Sequence, residues 1–408
     1  MRKEYLYYII ITLVVFIISG SSFLLNKWII FGLTSLLFFL FLSERKQFSR
    51  QLLIALVVWM VINILSTIFT ESDFVILRML NYTFNLILLP YFLISLMGLG
   101  FWFRLERIVF FLTLISLPLF LLNVLFPDVF DSLSNFFRPL TRSVFYRYNP
   151  NTTYWSSLIY VNAIKGVDYN LYRNCGFMWE PGSFAMIIIW AIVFNRLTQG
   201  HFVFKKFAVY FIALITTLST AGYLAIFVVI LSFFLKKTNI KTIILIAIFS
   251  ALFWTYIYQL DFVGGKIEYY IEGYQEDRAS YHHDYEAYKV SRFQIVKYDF
   301  FKALEYPLGY GVISKKDFEE APEIVGVNGL SNLMVMWGIP VFLYMLFLIK
   351  RYVFMLNFAK HNDKVLYILY ASLLIVFFSN PLKRNIFIYL IFFTPFILRK
   401  TKEYFDKR

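Results

Sequence analysis

Apolar residues dominate this chain in blocks of about 15 to 23, long enough to cross a hydrocarbon core of about 30 Å as helices. Twelve such blocks are read, at roughly 5–19, 24–42, 52–70, 75–97, 107–126, 182–198, 207–218, 222–235, 241–259, 329–349, 365–379 and 385–398. Between Lys205-Lys206 and Lys236-Lys237 about thirty apolar residues carry L-S-T-A-G-Y at their centre. Basic pairs at both ends predict a hairpin with its tip at Ser219–Gly222, in place of one long tilted helix. The first block follows a short basic run, Arg2-Lys3, with no small-residue cleavage signal after it, and reads as a retained helix.

The pattern predicts an all-α polytopic membrane protein of about 12 transmembrane helices. Its parts are an N-terminal five-helix membrane region (1–126), a first large extracytoplasmic loop (127–181), central membrane helices (182–259), a second large extracytoplasmic loop (260–328) and C-terminal membrane helices (329–408). Composition agrees: 60% of the 408 residues are hydrophobic and 16% charged, against about 25% charged in a soluble domain. One cysteine, Cys175, excludes an intramolecular disulfide, and four histidines leave little for a zinc site.

The net charge of +14 raises the question of nucleic acid. With the N-terminus placed in the cytoplasm, the cytoplasmic segments hold 22 of the 39 Lys and Arg, and the short outer loops hold four. The remaining 13 lie in the two long loops, which the positive-inside rule does not count. The basicity is therefore topology: the partner is a lipid bilayer, both termini are cytoplasmic, and no nucleic acid is expected.

The two long loops are rich in Tyr, Trp and Phe, which disordered segments avoid, so both are expected to fold on the outer face. Loop one carries Arg138, Arg142, Arg147 and Arg173. Arginine suits phosphate because its planar fork binds two oxygens and never deprotonates; contact with anionic headgroups explains Arg138, Arg142 and Arg147 equally well. Pro181 is a natural first helical residue, which puts Glu180 at an N-cap. There Glu180 either caps the helix and is neutralised by Arg173, or acts as a general base while Arg173 holds a phosphate. Gly176 and Gly182 let the backbone bend between them.

Loop two is net acidic, with 13 acids and 8 basic residues. A helix over about 284–305 is predicted, with Tyr285, Tyr288, Val296, Phe300 and Leu304 on its buried stripe and Arg292 among them. A buried arginine needs an anion, either Asp299 or Glu286 within the protein or a ligand phosphate. His282 and His283 have a pKa suited to acid–base work but also read as plain surface.

The residues Arg173-x-x-Gly176-x-x-x-Glu180-Pro181-Gly182, then Leu218-Ser219-Thr220-Ala221-Gly222-Tyr223, then Arg292 with Pro307-x-Gly309-x-Gly311 and Asn328-Gly329, are together similar to the O-antigen polymerase (Wzy-type) family, related to the O-antigen ligases. The likeness covers the whole chain in topology and its motifs from about 173 to 340. It implies a GT-C-like fold and a metal-independent inverting glycosyltransferase with no cofactor, in a bacterial cytoplasmic membrane. The enzyme would join oligosaccharide repeats carried on undecaprenyl diphosphate at the outer face, beside a chain-length regulator and a flippase of the same pathway. Arg173 and Arg292 would hold the donor diphosphate, Glu180 would take the acceptor proton, and Asn328 would join Arg138, Arg142, Arg147, His282 and His283 in binding substrate. Where the ligases and some polymerases carry His-Asn, this chain has Val327-Asn328. That argues against ligation and leaves the base open between Glu180 and the His282-His283 pair. A flippase is the other alternative; it would line its spans with charge, whereas these spans carry almost none. A purely structural scaffold would leave Arg292 on a buried stripe unexplained.

Overall fold

The computed structural model describes residues 2–20, 26–70, 76–137, 152–156, 159–165, 171–199, 203–234, 255, 292–311, 328–380, 382 and 385–398. The helices are α1 (Arg2–Ser19), α2 (Lys27–Ser43), α3 (Arg50–Thr70), α4 (Ile76–Tyr82), a π-helical segment (Thr83–Leu88), α5 (Leu89–Met97), α6 (Gly100–Leu125), α7 (Pro127–Phe137), α8 (Pro181–Gln199), α9 (Phe204–Thr216), α10 (Thr220–Phe234), α11 (Arg292–Glu305), α12 (Gly329–Trp337), α13 (Ile339–Met355), α14 (Asp363–Phe378) and α15 (Ile386–Ile397). Arg50–Ile68, Ile76–Met97, Gly100–Leu125 and Pro181–Gln199 are long and apolar enough to cross a bilayer, and Lys27–Ser43, Thr220–Phe233 and Ile386–Ile397 are shorter apolar helices. The chain is a helical membrane protein. The apolar block 241–259 lies outside the described residues, Thr255 excepted.

Local chemistry sets several helix starts. Asn26, Asn328, Asn362 and Asn385 cap α2, α12, α14 and α15, each accepting a backbone N–H of the first turn through its side chain. In α8 nearly every residue is buried, as expected of a helix that is apolar all round. It packs against α6, α9, α10 and α14. Beside it Trp102, Trp190, Tyr352 and Phe387 form an aromatic cluster in which both indoles are satisfied. Trp190 Nε1 donates to Tyr352 (3.0 Å) and Trp102 Nε1 to Thr394 (2.8 Å).

Two breaks in the helices matter for the site. The first separates α9 from α10 at residues 217–219, where Leu218 has φ 50°, so the segment between the basic pairs is two helices, with its turn beside loop one. The second is at Gly338 (φ 79°), between α12 and α13. There residues 306–311 run alongside and satisfy the interrupted backbone: Tyr310 N–H donates to Val335 O (2.8 Å), Gly311 N–H to Met336 O (3.0 Å), and Ile339 N–H to Pro307 O (2.9 Å). Irregular backbone at membrane depth survives only where protein supplies such partners. A Cβ on Gly338 would stand 2.4 Å from the Leu308 carbonyl carbon, so only glycine fits.

Loop one contains structure that the pattern did not predict. An antiparallel sheet in the order β1 (Thr152–Ser156), β2 (Val161–Lys165), β3 (Leu171–Asn174) pairs Thr152 with Lys165 and Ala163 with Arg173. α7 packs on β1 and α6, with Phe130 against Tyr160 (centroids 5.8 Å). Burial pushes the Tyr160 phenol well up, so it stays a neutral donor to Asn123 Oδ1 at 3.4 Å.

The predicted stripe of the loop-two helix is corrected. Among the α11 residues whose side chains are described, Ile295, Asp299 and Ala303 are buried, while Phe300 and Leu304 are about half exposed (47% and 53%); the side chains of Tyr285, Tyr288 and Arg292 are not among those described. Asp299 turns inward because Ser331 hydrogen-bonds its carboxylate, and the buried face of the helix follows that contact. The helices also hold more charge than the pattern implied. Glu106 of α6 is buried, and Lys206 Nζ of α9 reaches its two oxygens at 2.7 and 2.9 Å. Asn195 Nδ2 (2.9 Å) and Tyr210 OH (3.0 Å) also donate to Glu106.

Candidate functional site

β3 ends by handing two side chains to the α9–α10 turn. Arg173 donates from Nε to Thr217 O (3.2 Å) and from Nη2 to Leu218 O (3.1 Å). Asn174 Nδ2 donates to Thr216 Oγ1 (3.0 Å) while its Oδ1 accepts Gly176 N–H (2.7 Å). Pairing continues past the strand, with Val161 N–H on Gly176 O and Cys175 N–H on Val161 O. Gly176 then turns the chain with φ 54°, and a Cβ there would lie 2.3 Å from the Phe184 ring, so this position requires glycine. Trp179 N–H donates to Ser19 O at the end of α1 (2.9 Å). The stretch from Arg173 to Pro181 is thereby held from three sides.

Glu180 stands at the N-cap of α8. Its carbonyl accepts Phe184 N–H (3.1 Å), and its Oε1 accepts the Ser183 hydroxyl (2.9 Å). Ser183 Oγ also lies 3.3 Å from Oδ1 of Asn380, at the C-terminal end of α14. Asn380 is fixed by its Nδ2, which donates to Val376 O (2.6 Å). The next contact is backbone on backbone: a Cβ on Gly329 would stand 1.9 Å from Asn380 O and 2.4 Å from Phe377 O. α12 thus begins directly on the turn that follows α14.

Asn328, one residue earlier, is fully buried. Its Oδ1 accepts Ser331 N–H (3.2 Å), and its Nδ2 has no hydrogen-bond partner among the described residues. Ser331 Oγ donates to Asp299 Oδ2 of α11, itself 6% exposed. A line of contacts therefore runs from Glu180 through Ser183 and Asn380 by hydrogen bonds, across backbone packing at Gly329, to the hydrogen-bonded set Asn328, Ser331 and Asp299. It joins the end of loop one to the end of loop two.

The sequence-derived candidates fall as follows. Glu180 and Asn328 lie on this line. Arg173 lies on the same loop-one segment, with its guanidinium on the α9–α10 turn. Arg292 opens α11, seven positions before Asp299; its backbone is described and its side chain is not. Arg138, Arg142, Arg147, His282 and His283 lie outside the described residues. Sequence reasoning missed Ser183, Asn380 and the Asp299–Ser331 pair. Ser379-Asn380-Pro381 carries the Asn-Pro signal that marks turns and offered the one cue to Asn380. Ser331 and Asp299 offered none, being 32 residues apart.

Chemically the line offers a half-buried carboxylate at one end, a buried amide donor in the middle and a second, hydrogen-bonded carboxylate at the other end. Such a row can orient hydroxyl groups and accept a proton. Among the described residues no group of three His, Cys, Asp or Glu side chains stands together as a metal site. No family model, curated protein or solved structure matches this chain.

Proposed function

We propose that this chain is a polysaccharide repeat-unit polymerase, of O-antigen or capsule type, working at the outer face of a bacterial cytoplasmic membrane. It would transfer the growing glycan from undecaprenyl diphosphate onto a lipid-linked repeat, on a GT-C-like scaffold of about twelve spans with both termini cytoplasmic. The observation that carries the reading is the meeting of the two loop ends, Glu180 to Asn328, through Asn380. A polymerase must bring a donor diphosphate and an acceptor hydroxyl to one place, and these loops hold the cations and carboxylates suited to both.

In this reading the acceptor hydroxyl attacks the anomeric carbon of the donor sugar as the bond to the diphosphate oxygen breaks. Its proton passes to the Glu180 carboxylate. The negative charge that develops on the leaving diphosphate is met by Arg173 and Arg292. Arg173 is held in place by two backbone carbonyls, which fixes the plane of its guanidinium before substrate arrives. Asn328 presents its amide N–H groups to a sugar hydroxyl. A flippase and a chain-length regulator of the same pathway would supply the substrate and set the polymer length.

The test is incubation of the purified protein with lipid-linked repeats, followed by gel separation of the products. A ladder of polymer is expected from the natural chain, with single repeats alone from Arg173→Ala and Arg292→Ala inserted at normal levels. Activity is expected to persist in EDTA. Polymer of normal length in both arginine variants would overturn the diphosphate role, and repeats moved across the bilayer without being joined would favour a flippase.

A further inference from the structure

A second feature lies away from this site. α2 packs on α5 and the π-helical segment, and α3 packs on the same π-helical segment. Between α2 and α3 remains a groove of about 500 Å³, inside the range of about 300–1,000 Å³ common to ligand sites. Its walls are Phe31 and Phe38 of α2 and Leu52 and Leu56 of α3, and its floor is Phe84 and Leu88 of the π-helical segment. That floor has a local cause. Pro90 has no N–H to give to the preceding turn, and Leu89 N–H donates five residues back, to Phe84 O. The widened turn is a π-bulge, a feature concentrated at functional sites.

Phe48 and Ser49, just before α3, line the groove as well, and we call the charged segment they belong to its mouth. The segment around them, Glu44–Arg50, holds one acid and three basic residues. The acid is engaged: Lys3 Nζ (2.9 Å), Tyr7 OH (3.0 Å) and Lys46 Nζ (3.6 Å) all reach Glu44. Lys46 also donates to the carbonyls of Ser95 and Leu96, and Tyr91 OH accepts the Ser49 N–H (2.9 Å). Arg45 and Arg50, three residues before Phe48 and one after Ser49, are both exposed. An apolar groove whose lining runs into a segment with two exposed arginines matches a hydrocarbon chain attached to a phosphate.

We propose that this groove holds one acyl chain of an anionic glycerophospholipid, with its headgroup phosphate on Arg45 and Arg50. The charge at the mouth selects an anionic lipid over a zwitterionic one. The polyprenyl carrier is the less fitting occupant: Arg45 and Arg50 sit on the α2–α3 connection, which the basic-residue distribution places in the cytoplasm, opposite the face assigned to the diphosphate.

The experiment uses the full chain in mild detergent, equilibrated with equal amounts of phosphatidylglycerol, phosphatidylethanolamine and undecaprenyl phosphate. Retained lipid is read by native mass spectrometry. One phosphatidylglycerol per chain is expected. Retention should fall at least tenfold in Leu56→Trp, which fills the groove, and the preference over phosphatidylethanolamine should vanish in Arg45→Gln/Arg50→Gln. Should Leu56→Trp fail to fold, the arginine double variant decides the matter. Equal retention of the two phospholipids by the natural chain, unchanged preference in the double variant, or capture of undecaprenyl phosphate in their place would each overturn the proposal.

Discussion

Two polar clusters cross-link this bundle, and they are built on opposite principles. The cluster at Glu106 is closed: Lys206, Asn195 and Tyr210 supply donors to its carboxylate, and Gln199 in turn holds Asn195 (3.2 Å). The line from Glu180 to Asp299 is open. Glu180 is only half-buried, and Asn328 keeps a donor that no atom of the described residues accepts. A buried unmet donor costs about 1–3 kcal/mol, so a fold that retains one holds it at a cost to stability. A closed network accounts for itself by holding α6, α8 and α9 together. The open one leaves the Asn328 amide unmet where the two loop ends meet, the place proposed above for substrate.

The largest expected effect tests the closed cluster. Lys206→Met leaves Glu106 buried without its cation, and a loss of about 3 kcal/mol is expected in unfolding from mixed micelles. Adding Glu106→Gln should recover most of it. A single variant as stable as the natural chain would remove the contrast. Next comes the junction of the open line. Gly329→Ala drives a methyl into Asn380 O and should cost about 1–3 kcal/mol. Gly32→Ala, with open space around it, should be neutral or slightly stabilising in the same assay.

Asn328→Ser sharpens the comparison further. Serine keeps a capping oxygen and removes the unmet amide, so stability should change by less than about 1 kcal/mol while polymer formation falls. Full activity in that variant would return Asn328 to capping alone. The smallest effect concerns pH. Burial pushes the Glu44 carboxyl up, but hydrogen bonds from Lys3 and Tyr7, with the charge of Lys46, outweigh it and hold the group below its ordinary value. Its contribution is therefore complete above the ordinary carboxylate range and is lost as pH falls through the lowered value. A modest acid-side drop in melting temperature is expected, and it should be absent in Glu44→Gln.

How much of this was legible depended on whether the signal was local. Apolar block length marked the chain as helical, and basic pairs foresaw a break that falls at 217–219, just before the expected Ser219–Gly222 tip, whereas the block read as 329–349 is two helices parted at Gly338. Glu180 was read as a cap from Pro181, and the structure puts its carbonyl to that use and turns its carboxylate to the Ser183 hydroxyl. Asn380, 197 residues from Ser183, is joined to it only by folding. The same holds for Glu106 and Lys206, 100 residues apart, which read as ordinary cytoplasmic charges. α11 failed for a different reason. Its periodicity was visible, but the face that turns inward carries Asp299, whose partner Ser331 only folding brings near, and Phe300 and Leu304 took the outward side. The strands of loop one were short and polar enough to pass for aromatic-rich coil.

The run Tyr306–Gly311 has a practical consequence for anyone exchanging specificity between proteins of this shape. It lies at the end of the second long loop in sequence, yet Pro307, Tyr310 and Gly311 complete the backbone of α12 and α13 at their break. Grafting the whole of 260–328 from another protein would remove that splint and leave the final helices with a gap. A chimera cut ahead of Pro307, with residues 307–311 kept from the recipient, would exchange the preceding part of the loop and keep the brace. The useful boundary for recombination in this chain therefore falls within the loop, about twenty residues before α12 begins.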